Sequence, residues 1–263
     1  MNGPTPLLDV FKQGEAERDV RLLAAQGVLA PRAHEQLAIL VLLLDDADPE
    51  IRRAADDTLN RIPGGMLKAF LARSDVPAGL RQRFADRGVV PDAVPADDIP
   101  AHDPDLPLIE TAADPAAVPD KADERKSTLQ QLADMKFTDR LKAAVKGSKE
   151  MRAILIRDTN RMIAAAVLSS PKLTSSEVEG FARMTSVSED VLRVIGSSRN
   201  WTKNYGVIVA LTKNAKTPIP MAISLMSRLA ERDVAMLSID RNVPEQVRIA
   251  ARRKVTAAKS RGE

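Results

Sequence analysis

The 263-residue chain contains no cysteine. Disulfides, thiolate zinc sites, iron–sulfur clusters and cysteine nucleophiles are thereby excluded, and a reducing, cytoplasmic setting is expected. Aromatic residues are almost as scarce, with five Phe, one Trp and one Tyr. Strands stabilised by aromatic pairs are not available to such a chain, so the core has to be built from Leu, Ile, Val and Ala packed between helices. Long hydrophobic runs are missing too. The longest, residues 37–44, has eight residues, far short of the roughly 20 that a membrane-spanning helix requires. It reads as the centre of a buried helix, and no transmembrane segment is expected. Residues 1–12 lack a basic stretch leading into an apolar one, so no secretory signal is expected either.

The usual carriers of catalysis are thin. His34 and His102 are the only histidines, and His34-Glu35 is not followed by the second histidine of a zinc-protease motif. They read as a helix-surface imidazole and a linker imidazole. No glycine-rich phosphate loop and no G-x-S-x-G elbow occur, and Gly64-Gly65 reads as a hinge or helix C-cap. Asp45-Asp46 and Asp56-Asp57 are neighbours in sequence, but adjacent helical residues point about 100° apart. Such pairs read as solvated helix ends rather than as an acid and a base. The chain is therefore expected not to be an enzyme, with no metal site and no cofactor.

What is present is charge, and it is segregated. Residues 1–88 carry 12 Lys and Arg against 13 Asp and Glu, residues 89–124 carry 1 against 10, and residues 125–263 carry 26 against 13. The near-neutral total of +3 hides this. The middle stretch also holds seven prolines and few large apolar side chains. A segment of that kind cannot offset its ordering entropy by burial, so it is expected to be a disordered linker. Three parts follow: a helical module over 1–88, an acidic, proline-rich linker over 89–125, and a basic helical module over 126–263. An acidic strap tethered to a basic module also raises the expectation of intramolecular competition for anionic ligands.

On both sides of the linker the apolar spacing is helical and interrupted every 9 to 15 residues or so. Breaks fall at Gly14, Gly27, Pro31, Pro63 and Pro77, giving about six short helices before residue 88. Asp48-Pro49-Glu50 reads as a helix start in which Asp48 caps, Pro49 occupies a position with no donor to lose, and Glu50 faces the positive end of the dipole. Thr174-x-x-Glu177 and Ser186-x-x-Glu189 match the capping box. Further starts are expected at Thr138, Ser148, Trp201, Thr217 and Val243-Pro244. Helices this short are marginal alone and must stack on neighbours.

Residues 167–174, 209–218 and 236–244 each end an apolar helix in a polar turn and reopen with Thr or Pro. Asp48-Pro49-Glu50-Ile51-Arg52-Arg53-Ala54-Ala55 is echoed by Val243-Pro244-Glu245-Gln246-Val247-Arg248-Ile249-Ala250-Ala251. This pattern resembles the second-helix signature of HEAT-type repeats and of the bacterial leucine-rich-repeat-variant proteins, and it covers about half of the chain. The resemblance implies an all-α fold of two short α-solenoid-like modules. It supplies no activity, and the cysteine-bound cluster of some leucine-rich-repeat variants has no ligands here.

Two groups of residues stand out as binding candidates. Trp201 and Tyr205, spaced i and i+4, are expected on one helix face beside Arg199, Lys203 and Lys213, either stacked on a partner or filling the groove between two repeats. Lys142, Lys146, Lys149 and Arg152, with Lys136, Arg140, Arg157 and Arg161 around them, recur every three to four positions for stretches and are expected to line a basic face. The function expected is non-catalytic binding or scaffolding of a protein partner. The alternative is sequence-independent nucleic-acid binding by residues 126–263, and attachment to an anionic membrane surface is a third possibility.

Overall fold

The computed structural model describes residues 5–91, 106–110 and 128–259. Every regular element among them is helical, as the composition predicts. Most of the linker, His102 included, lies outside the described residues. The chain divides into two compact units, residues 1–173 and 174–263. The division falls at Leu173/Thr174 and not at the acidic strap, because helices from both sides of the strap pack into the first unit.

In that unit six helices precede the strap: α1 (Pro6–Lys12), α2 (Arg18–Ala25), α3 (Ala33–Leu43), α4 (Pro49–Arg61), α5 (Gly64–Ala72) and α6 (Ala78–Ala85). Four follow it: α7 (Thr128–Asp134), α8 (Phe137–Lys146), α9 (Lys149–Leu155) and α10 (Arg161–Leu168). Gly14 and Gly27 adopt φ of 73° and 74°, and each ends its helix in a paired-bond cap. At Gly14 the N–H of Glu15 reaches Val10 O at 3.2 Å and that of Gly14 reaches Phe11 O at 3.1 Å, the Schellman pattern that only a left-handed residue permits. Asp48 caps α4 as expected, accepting the Glu50 N–H at 2.9 Å. Gly64 and Gly65 open α5 instead of closing α4, with Pro63 before them at the N-cap.

The core of this unit centres on two helices with little polar surface. In α10 every residue from 162 to 168 is buried, and in α3 Leu37, Ile39, Leu40 and Leu43 are buried. A helix apolar nearly all round has to be covered on several sides. Helix α1 packs on both α3 and α10, α2 and α4 cover α3, and α8 covers α10. The Arg32 N–H donates to Ser169 O at 3.3 Å, joining the start of α3 to the end of α10 across the intervening sequence.

The second unit comprises three helix–turn–helix pairs: α11 (Ser175–Arg183) with α12 (Glu189–Ser197), α13 (Tyr205–Lys213) with α14 (Ile219–Met226), and α15 (Glu231–Ile239) with α16 (Glu245–Lys259). The turns inside the pairs, residues 184–188, 214–218 and 240–244, have equal length and the same local conformation. Their fourth residues, Val187, Thr217 and Val243, are all buried. Asn214 Oδ1 accepts the Lys216 N–H at 3.0 Å and Asp240 Oδ1 accepts the Asn242 N–H at 2.9 Å, equivalent side-chain turns. Asn214 Nδ2 also donates to Ala182 O at 2.8 Å and Met184 O at 3.0 Å, tying the second turn to the first. Successive pairs stack through α11 on α13 and α14 on α16. A Cβ at Gly206, near the start of α13, would displace the carboxylate end of Glu179 on α11.

Thr174 and Glu177 form the expected capping box. Ser186 does not cap. Ser188 does, accepting the Val191 N–H at 3.4 Å, so α12 starts two residues later than the Ser186-x-x-Glu189 motif implies.

Candidate functional site

The Trp201 cluster is split by its own backbone. Residues Trp201–Lys203 form a single 3-10 turn, Asn204 is extended at φ −74° and ψ 118°, and α13 starts at Tyr205. The Asn204 side chain caps α13 by accepting the Gly206 N–H at 2.8 Å. Trp201 and Tyr205 therefore do not share a helix face. Asparagine at a capping position interrupts the i, i+4 relation that the spacing implies. Trp201 is 5% exposed, in a turn packed against α12 and α13, while Tyr205 is 43% exposed. The Tyr205 hydroxyl donates to the Asp233 carboxylate and accepts the Ala230 N–H at 3.0 Å, joining the start of α13 to the start of α15. Its hydrogen bond to Asp233 holds the phenol above its ordinary pKa. Arg199 and Lys203 are exposed near this turn. Lys213 is exposed at the far end of α13, about 12 Å along the helix at 1.5 Å per residue.

The basic stretch of α8 and α9 is also divided. Lys142 pairs with Asp139 at 3.3 Å and Lys146 with Glu110 at 2.9 Å, while Lys149 is exposed. Arg152 does not face outward. It is 4% exposed, and its guanidinium donates to Gly147 O at 2.8 Å and to Lys172 O at 3.4 Å, bracing two turns from inside. Free carbonyls at helix ends attract a buried guanidinium as strongly as solvent does, and spacing alone does not distinguish the two. Arg140 is likewise engaged, with Asp158 at 2.9 Å.

The arrangement that most resembles a binding site involves Gln36, which sequence reasoning did not single out. Gln36 lies on α3, is 2% exposed, and uses both ends of its amide on residues 106–110 of the acidic strap. Its Oε1 accepts the N–H of Leu108 at 2.8 Å and of Ile109 at 3.2 Å, and its Nε2 donates to Ile109 O. The side chain gives Ile109 one hydrogen bond and takes another, and because the same Oε1 also takes the N–H of Leu108, the backbone bends at this point. Leu108 is 4% exposed, and Glu110, two residues on, reaches Lys146 on α8. Leu108 is thus the apolar anchor of the contact and Glu110 its ion pair. Burying a leucine contributes about 1.5–3 kcal/mol and each hydrogen bond about 0.5–1.5. Fixing five backbone residues costs about 5–10 kcal/mol, so the contact is close to balanced. The one sequence signal was Leu106-Pro107-Leu108-Ile109, the densest aliphatic run in an otherwise small, acidic stretch.

Next to Gln36, Glu35 points the other way. It is buried, accepts the Leu8 N–H at 2.9 Å in the first turn of α1, and is bonded by the Ser169 hydroxyl. Burial pushes its pKa up to about 7, against the opposing pull of these hydrogen bonds and of Arg32. His34 is half-buried, with its ring 6.4 Å from that of Phe70, and burial lowers its pKa. The acidic pairs read as helix ends are engaged by arginines: Asp45 with Arg83, Asp46 with Arg21 and Asp56 with Arg87.

Among the described residues no cluster of three or more His, Asp or Glu side chains is placed to hold a metal ion, and no helix is long and apolar enough to cross a membrane. No protein-family model, curated protein or solved structure gives a significant match to this chain.

Proposed function

We propose that the protein is a non-catalytic binding or scaffold protein, built from helical-repeat modules with an acidic, proline-rich strap between residues 88 and 126, and that its helix surfaces hold other proteins. The observation that carries this reading is the Gln36 contact. A helical surface grips an irregular stretch of polypeptide by main-chain hydrogen bonds, an apolar anchor and an ion pair, which is the chemistry of peptide recognition. The charge compensation of Lys142 and Lys146 and the internal use of Arg152 favour a protein partner over a polyanion for this stretch.

The test is a pull-down with the full chain from native lysate, with and without nuclease and at two salt concentrations. Proteins retained after nuclease treatment and at the higher salt support the reading. Capture that disappears with nuclease, or falls steeply with salt, overturns it in favour of nucleic-acid binding, where counterion release dominates.

A further inference from the structure

The contact between residues 106–110 and the surface of α3 and α8 has three properties of a ligand in its site. Recognition runs through the main chain at Leu108 and Ile109, whose successive N–H groups converge on one oxygen, which selects a bent backbone without dictating sequence. Side-chain selection is confined to two positions, a buried aliphatic at 108 and a carboxylate at 110 paired with Lys146. The flanking residues at 106 and 109 are exposed and half-buried, so they place few demands on identity. Gln36 is fixed for this task. Its Oε1 meets two N–H groups and its Nε2 one carbonyl, an assignment that rotation of the amide would turn into like facing like.

We propose that this surface is a peptide-binding site, that residues 106–110 occupy it in cis, and that its ligand in trans is a short peptide that takes the same bend and carries an aliphatic residue followed two positions later by a carboxylate. The proposal rests on the protein-binding reading above and deepens it by naming the ligand class and its regulator. A tethered segment competes at an effective concentration of about millimolar. A partner peptide therefore binds well only when it is stronger than the strap or when the strap is displaced. The strap acts as a built-in competitor, through a shaped contact as well as through its charge.

The experiment uses the full-length chain and a fluorescein-labelled synthetic peptide with the sequence of residues 105–111, followed by anisotropy. In the Leu108→Asp chain the cis occupant is disabled while Gln36 and Lys146 are untouched. The labelled peptide is expected to bind that variant at least about twofold more tightly than the wild-type chain, since a nearly balanced cis contact occupies the site in about half of the molecules. Adding Gln36→Leu to Leu108→Asp should reverse the gain. Equal affinity for wild type and Leu108→Asp, or binding indifferent to Gln36→Leu, overturns the proposal. Circular dichroism checks each variant. Should Gln36→Leu lose its helical signal, the decision passes to Lys146→Glu in the Leu108→Asp chain. It should weaken the peptide and regain it with a peptide bearing lysine at the position of Glu110, and failure of that exchange is equally fatal. The two readings fail separately. Nuclease-resistant partners captured equally by wild type and Gln36→Leu would leave the general reading and remove this one. Peptide binding without any lysate partner would do the reverse.

Discussion

Trp201 and Glu35 show how single side chains are committed to the interior. Trp201 fills space between α12 and α13 from a 3-10 turn. Truncating a buried tryptophan removes its transfer energy and leaves a cavity, so Trp201→Ala should destabilise the second unit by about 3–5 kcal/mol in denaturant titrations. Wild-type tryptophan emission should be blue-shifted. A water-exposed spectrum, or a loss below about 0.5 kcal/mol, would contradict this placement.

Glu35 makes a pH prediction whose sign follows from its environment. Its pKa is about 7 in the folded chain against 4.5 for the free group, so the folded state binds the proton more tightly. The stabilisation is complete below about pH 4.5 and is lost as pH rises through 7, a loss on the order of 3 kcal/mol. Glu35→Gln keeps an acceptor for the Leu8 N–H without the charge. Its stability relative to wild type should rise between pH 5 and pH 8, and a difference that stays constant with pH would contradict the assignment.

At the scale of elements, caps and turns separate motif from use. Ser188→Ala should cost about 0.5–2 kcal/mol, the usual loss of an N-cap, whereas Ser186→Ala should be nearly silent in the same thermal or urea titrations. A reversed order would place the start of α12 at the sequence motif after all. The buried turn position filled by Val187 and Val243 is Thr217 in the middle pair, and its Oγ1 has no hydrogen-bond partner among the described residues. Thr217→Val matches its shape and removes an unpaired hydroxyl. It should stabilise the second unit by about 1 kcal/mol, measured as a shift in denaturation midpoint.

At the scale of the molecule, the first unit is made from sequence on both sides of the strap. Helix α1 packs on α10, and Arg161 reaches Gln13 at 2.9 Å and Glu15 at 3.1 Å. A chain carrying an engineered protease site at residues 117–120, once cut, should keep its two pieces together on size exclusion and retain its helical circular dichroism. Separation into two independently folded pieces would restore the division at residues 88 and 126.

The sequence by itself determined that the protein is helical, and it located most of the starts and stops. Asp48, Ser148 and the Thr174–Glu177 box act where their patterns stand, and Gly14 and Gly27 end helices through a left-handed residue. These are local matters, decided by donors and acceptors within one turn of the chain. Ser186, the Trp201–Tyr205 pair and Arg152 were misplaced because a cap two residues away, an interrupting Asn204 and carbonyls on another turn decided them. Only the tertiary structure decided which helix covers which. Periodicity marks an apolar face without naming its partner, and the partner of a buried polar group lies wherever packing brings it: 27 residues away for Glu35 and Leu8, 72 for Gln36 and Leu108. The joining of the strap to α3, and of α10 to α1, follows from that physical fact.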